Sequence, residues 1–174
     1  MTAEQLKSLI RNVPDFPKPG IVFKDITPLL RSAEGLDRTC ELLAAPFREQ
    51  NVNLVAGIES RGFIFGSIVA QKLGAGVIPI RKPGKLPWTT RRHEYVLEYG
   101  TDVLEIHDDA VASGDRVLVI DDVLATGGTL AAAMHLVRGF DATLVGAATV
   151  IELGFLAGRE KLEAGAVVHS VLQY

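Results

Sequence analysis

Apolar positions along this chain follow two rhythms. From Asn53 onward, short apolar runs alternate with stretches whose apolar residues recur every three or four positions. The runs at 54–58, 76–80, 117–120, 143–151 and 167–172 read as strands, and 61–73, 129–140 and 155–163 as helices. Short β-rich runs separated by helices predict an α/β fold, a mostly parallel twisted sheet flanked by helices. Before Asn53 the pattern differs. Thr2 and Gln5 form a capping-box pair, followed by Leu6, Leu9, Ile10 and Val13 at helical spacing. Pro14, Pro17, Pro19 and Gly20 forbid a helix next and predict a stiff, extended arm. Leu36, Cys40, Leu43, Ala44 and Phe47 then mark one face of a second helix, which gives Cys40 a buried packing role.

One stretch breaks the rhythm. Between Arg81 and Tyr99 lie Pro83, Gly84, Pro87, Trp88 and five Lys or Arg residues. Segments 94–99 and 101–107 read as two strands around Gly100, a polar hairpin of the kind that is functional or mobile in a compact α/β unit. Within it Lys82, Arg91 and Arg92 read as solvated surface charges.

Composition narrows the function. The 174 residues are 48% apolar with a net charge of −3, which argues against a general nucleic-acid binder. Cys40 is the single cysteine, so neither an intrachain disulfide nor a multi-cysteine zinc site can form. The first eight residues carry no basic-then-apolar leader pattern, and the longest apolar stretch, 142–151, is too short to span a bilayer. A cytoplasmic setting with neither a nucleic-acid nor a membrane partner is expected.

The segment 117–129, VLVIDDVLATGGT, carries the chemistry. A buried run ends in two adjacent carboxylates, Asp121 and Asp122, followed by a small glycine-rich turn and an alanine-rich helix. Such a turn lets backbone N–H groups converge, and the helix N-terminus adds free donors and partial positive charge, so the site suits a phosphate monoester. Thr126 and Thr129 add hydroxyl donors. The two acids would repel a phosphate, so they must face something else, ribose hydroxyls or a magnesium ion. A sugar phosphate meets both demands. Neither a G-x-x-x-x-G-K-[ST] loop nor a strand-borne G-x-G-x-x-G pattern is present.

This segment resembles the motif by which type I phosphoribosyltransferases bind phosphoribosyl pyrophosphate (PRPP). Further pieces resemble the adenine-specific branch: PDFPKPGIVFKDITPLL from Pro14, GIESRGFIFG from Gly57, RKPGKLP from Arg81 and LEYG from Leu97. The resemblance implies one phosphoribosyltransferase unit over 1–174, with an N-terminal hood at 1–33 and a mobile hairpin lid at 81–107. It implies transfer of phosphoribosyl from PRPP to adenine, giving AMP and pyrophosphate in purine salvage. Mg²⁺ would be carried on the phosphates, with no confident direct protein ligand, and the assembly would be a homodimer. Ala125, Thr126, Gly127, Gly128 and Thr129 would hold the 5′-phosphate, and Asp121 and Asp122 the ribose hydroxyls. Ser60, Arg61, Arg81 and Lys85 would meet pyrophosphate, Lys85 from the neighbouring subunit. Val22, Phe23 and Lys24 would line the adenine pocket, Glu98 would handle a proton as the catalytic group, and Tyr99 would sit with it on the lid. The stretch Trp88 to His93 departs from the family's more acidic pattern there, and Lys24 stands where arginine is frequent.

Overall fold

In the computed structural model, which describes residues 1–96 and 100–174, the chain begins with α1 (Ala3–Lys7). The expected capping box is formed: the Thr2 side chain accepts from the Gln5 N–H at 3.3 Å, and the Thr2 N–H donates to Gln5 Oε1 at 2.7 Å. The helix stops sooner than the spacing of Leu6, Leu9, Ile10 and Val13 predicts. Residues 11–14 find a strand partner, so β1 (Arg11–Pro14) pairs antiparallel with β2 (Val22–Asp25), Val13 opposite Phe23. The proline-rich arm is therefore the turn of a hairpin, tied by Asp15 Oδ1 accepting from the Gly20 N–H at 2.8 Å. The spacing tracked burial, since Leu6 and Ile10 are in the core, and pairing overrode the local helical pattern.

Two helices, α2 (Thr27–Arg31) and α3 (Ala33–Ala44), lead to the sheet. Ser32 caps α3 by accepting from the Gly35 N–H at 3.1 Å. Cys40 is fully buried on α3, and burial pushes its thiol up to about 12. Next come β3 (Leu54–Ile58), α4 (Gly62–Leu73), β4 (Gly76–Ile80), β5 (Thr90–Val96), β6 (Thr101–His107), β7 (Arg116–Leu124), α5 (Gly128–Arg138), β8 (Thr143–Glu152) and β9 (Val168–Gln173). The helix expected at 155–163 is absent. Two short 3-10 turns, Gly154–Leu156 and Gly158–Lys161, stand there, broken by Ala157 in the left-handed region at φ 50°.

The main sheet has five parallel strands in the order β4-β3-β7-β8-β9. Alternation along its central strands builds two cores. Leu118 and Ile120 of β7 join Val55, Phe65 and Val69 beneath α3 and α4. Val117 and Val119 join Ile58, Leu130 and Val137 beneath α5. The β5–β6 hairpin packs on this second face, burying Tyr95, Leu104 and Ile106. Strand order reverses between β3 and β7: the chain leaves β3 for α4 and β4 on one side, and leaves β7 for α5 and β8 on the other. A crevice beyond the carboxyl ends of strands at such a reversal is where open α/β sheets bind ligands. Among the described residues, no helix is long and apolar enough to cross a membrane.

Candidate active site

The ladder between β3 and β7 ends at the pair Gly57 and Ile120, whereas β8 keeps pairing with β7 as far as Leu124 and Glu152. Asp121 and Asp122 therefore do not end the strand, as the sequence suggested. They lie within β7, just where β3 turns away. A cavity of about 310 Å³ opens there. It is lined by Ser60 and Arg61 from the loop after β3, by Asp121 and Asp122, and by Ala125, Thr126, Gly127 and Thr129.

Both acids are nearly buried, 7% and 5% exposed, so each meets the other more than water. Burial, and next the charge of Asp122, push the Asp121 carboxyl well above its ordinary value. Burial also raises Asp122, although Arg61 opposes this. Arg61 Nε stands 2.9 Å from Asp122 Oδ2, and its guanidinium lies over the Phe23 ring at 5.4 Å from the centroid. Two adjacent buried acids with a single cation on one of them repel each other, which suits them to hydroxyl donors or a further cation. The turn after them needs glycine at 127, where φ is +84°, and α5 begins at Gly128 with its first N–H groups free.

The other predicted cations are arranged differently. Arg81 and Lys85 do not line the cavity but converge on Glu59, which does. Arg81 Nε is 3.3 Å from Glu59 Oε2, Lys85 Nζ pairs with Oε1, and the Lys82 backbone N–H donates to Oε2 at 3.0 Å. Burial pushes Glu59 up, but the hydrogen bonds from Lys85, the Lys82 N–H and Arg81 outweigh it and hold the carboxyl at about 2. The contact between Lys85 and Glu59 lies within one chain.

Lys82 is not the solvated charge expected from sequence. It lines the cavity, pairs with Asp102 of β6, and donates to the Tyr95 hydroxyl at 3.1 Å. That hydroxyl lies 3.2 Å from Asp102 Oδ2 and 3.2 Å from Thr129 Oγ1. A phenol has one proton to give and two lone pairs, and these neighbours use all three. Tyr95 thus links the hairpin to the first turn of α5. Only the period-2 alternation of β5 could have pointed to it. Arg91 is also engaged, with its guanidinium 4.0 Å from the Phe140 ring centroid and Nη1 donating to the Gly139 carbonyl at 2.6 Å. His93 stacks on His135 of α5 at 4.0 Å, so two residues of the departing stretch 88–93, Arg91 and His93, dock on α5 and the turn after it, while Trp88 is exposed. Arg92 is exposed, as expected.

In the N-terminal hairpin, Phe23 is braced edge-on by Phe16 at 5.3 Å. Val22 is half exposed, and its β1 partner Pro14 has no N–H to offer its carbonyl. The Lys24 side chain points elsewhere: Nζ donates to Asn12 Oδ1 at 2.7 Å and lies over the Tyr174 ring. Glu98 and Tyr99 lie outside the described residues.

Comparison with known proteins agrees with this geometry. The phosphoribosyl transferase domain matches residues 29–170. An adenine phosphoribosyltransferase of Acaryochloris marina is 59% identical over 157 residues, covering 90% of this chain and 92% of its own length. The crystal structure of adenine phosphoribosyltransferase from Rhodothermus marinus is 54% identical with a TM-score of 0.94, over 99% of this chain and 98% of that one. The Saccharomyces cerevisiae adenine phosphoribosyltransferase, solved with adenine and an imino-altritol bisphosphate, is 38% identical with a TM-score of 0.92 over 98% of each chain. The fold is that of a phosphoribosyltransferase. Within that family, the chain belongs to the adenine phosphoribosyltransferases.

Proposed function

We infer that this chain transfers the 5-phosphoribosyl group of PRPP to adenine, releasing pyrophosphate and making AMP for purine salvage. The observation that carries this reading is the pairing, in one cavity, of two buried acids with a glycine turn at a helix N-terminus. The turn from Ala125 to Thr129 receives the 5′-phosphate on its backbone N–H groups and threonine hydroxyls. Asp121 and Asp122 accept from the ribose hydroxyls, whose donors stabilise two adjacent buried carboxylates. Ser60, Arg61 and Lys82 reach the pyrophosphate from the cavity wall. Arg81 and Lys85 join them by exchanging Glu59 for the incoming anion, and in a dimer the neighbouring Lys85 can serve the same site.

Adenine lies on the hood. Phe23 offers a braced aromatic face, and the Val22 N–H and C=O read the N1 acceptor and 6-amino donor. A 6-oxopurine reverses that pair and leaves the hydrogen-bonding groups it covers unsatisfied, which gives selectivity of roughly 10⁴-fold or more for adenine. As pyrophosphate leaves C1 and N9 approaches, the sugar gains oxocarbenium character, and the cavity cations neutralise the charge growing on the leaving group. The hairpin carrying Glu98 and Tyr99 covers the reaction and excludes water, with Glu98 handling a proton of the purine ring and Tyr99 closing over it.

Among the described residues, no cluster of three or more His, Cys, Asp or Glu side chains forms a metal cage. Mg²⁺ commonly binds through substrate phosphates and few protein groups. Here the nearby acids would be Asp121 and Asp122, whose raised carboxyls a divalent cation would favour in ionised form. Bound on PRPP, the ion would supply charge neutralisation at the departing pyrophosphate.

The enzyme is proposed as a cytoplasmic homodimer. Support for the dimer comes from Val77 on the outer strand β4, 49% exposed, and Ile64 on α4, 40% exposed, since a bare apolar sheet edge calls for a cover. The test is pyrophosphate release from PRPP and Mg²⁺ with each purine in turn. Release with adenine and AMP formation support the reading; preference for another base overturns it.

A further inference from the structure

The segment after β8 bears on the phosphate turn from outside the cavity. Gly158 is buried there, yet it does not line the pocket. A Cβ placed on Gly127 would come within 2.1 Å of the Gly158 carbonyl oxygen. A Cβ on Gly158 would come within 2.2 Å of the Ala125 carbonyl oxygen and 3.0 Å of the Gly127 nitrogen. The two backbones touch with no room for a side chain on either.

What holds the Gly158 peptide there is the next residue. Arg159 closes a bidentate fork on Glu152, Nε to Oε1 at 2.7 Å and Nη2 to Oε2 at 2.8 Å, while Nη1 donates to the Val168 carbonyl at 3.0 Å. Glu152 ends β8 directly opposite Leu124, the last residue of β7 before the turn. The Leu153 N–H donates to the Leu124 carbonyl at 2.9 Å, so the brace and the turn share one anchor. The hydrogen bond from Arg159 holds the Glu152 carboxyl below its ordinary range, which keeps the fork ionised at neutral pH.

We propose that Gly158 and Arg159 are positioning residues for the 5′-phosphate: the Gly158 peptide, locked by the Arg159–Glu152 fork, sets the curvature of the turn from Ala125 to Gly128 so that its N–H groups converge. This rests on the turn being the phosphate site. Displacing a binding element by about 1 Å can cost up to about a hundredfold in rate, and Gly158→Ala forces a displacement of that order on the Ala125 carbonyl.

Steady-state kinetics and AMP calorimetry on the full chain test this. Gly158→Ala is expected to raise KM for PRPP about tenfold or more and to weaken AMP similarly, with KM for adenine within about twofold. Arg159→Lys keeps the charge but loses the fork, and is expected to raise KM for PRPP about threefold with the same selectivity. An unchanged KM for PRPP in folded Gly158→Ala overturns the proposal, as does an equal loss for both substrates or a fall in kcat alone. Should Gly158→Ala not fold, Arg159→Lys decides by the same criteria. Thr126→Ala separates this proposal from the reading beneath it. If Thr126→Ala raises KM for PRPP and Gly158→Ala does not, the brace alone falls. If neither does, the phosphate assignment falls.

Discussion

On the β7–α5 wall of the cavity, Asp121 and Asp122 are buried against each other with carboxyls pushed upward, and the free N–H groups of α5 face outward. On the Glu59 wall, Arg81 and Lys85 lie outside the cavity lining and already face that carboxylate, which they and the Lys82 N–H hold at about 2. The first wall holds two acids that repel each other and gains when a sugar phosphate arrives. On the second, Arg81 and Lys85 are already paired with Glu59 and must exchange one anion for another. Ground-state satisfaction thus differs across a cavity of about 310 Å³. A leaving group bound by exchange can be released by the reverse exchange, whereas hydroxyls arriving at Asp121 and Asp122 relieve a repulsion between two buried acids.

Four substitutions break or sharpen this contrast. The largest effect belongs to neither wall. Glu98→Gln is expected to lower kcat by about 10²–10⁴-fold with PRPP affinity intact; an unchanged kcat removes Glu98 from the chemistry and leaves the two walls alone to account for it. Asp121→Asn comes next, weakening PRPP by about 10- to 100-fold with adenine within about twofold. Equal weakening of both ligands refutes the ribose assignment. The same substitution should stabilise the free protein. Asp121 titrates above its ordinary 3.8 in the folded chain, so ionising it costs stability as pH rises from 3.8 through the raised value. Asparagine removes that cost, raising Tm at neutral pH, with the gap closing in acid.

Glu59→Gln tests the other wall. Removing the competing charge is expected to tighten pyrophosphate by about three- to tenfold, read by product inhibition; weaker pyrophosphate would mean that Glu59 positions the cations more than it competes for them. The folded carboxyl titrates at about 2 against an ordinary 4.5, so its contribution to stability is present above 4.5 and lost as pH falls toward 2. Acid melts of Glu59→Gln should therefore be flatter across that window than those of the parent chain. Tyr95→Phe has the smallest expected effect. It deletes one hydroxyl that joins Lys82, Asp102 and Thr129, and should raise KM for PRPP about two- to fivefold. No change would mean that apolar packing with the Arg91 and His93 contacts holds the hairpin on α5 without the hydroxyl.

How much of this was legible in the chain depended on whether the controlling contact was local. Strand 54–58 matched the sequence reading because a buried parallel strand reads as an unbroken apolar run, and 76–80 matched on the same apolar run although this outer strand is largely exposed. The turn after β7 was legible because Gly127, Gly128 and their neighbours declare their geometry locally. The acids at 121–122 were legible as chemistry but not as strand, since only the long reach of β8 keeps β7 extended through them. Helix 155–163 failed because Gly158 is held against Ala125 and Gly127, a contact about 30 residues away in the chain that periodicity does not encode. Lys82 and Arg91 looked like surface charges because their partners, Asp102 and Phe140, come from other elements. Lys24 carried a site position whose side chain turned instead toward Asn12 and Tyr174.

The most direct test is a crystal structure of the protein with AMP bound. The account predicts the 5′-phosphate on the backbone N–H groups of residues 125–129, the ribose hydroxyls on Asp121 and Asp122, and the base against Phe23. A nucleotide seated elsewhere, or one whose phosphate faces the Glu59 wall while the glycine turn stays empty, would contradict it.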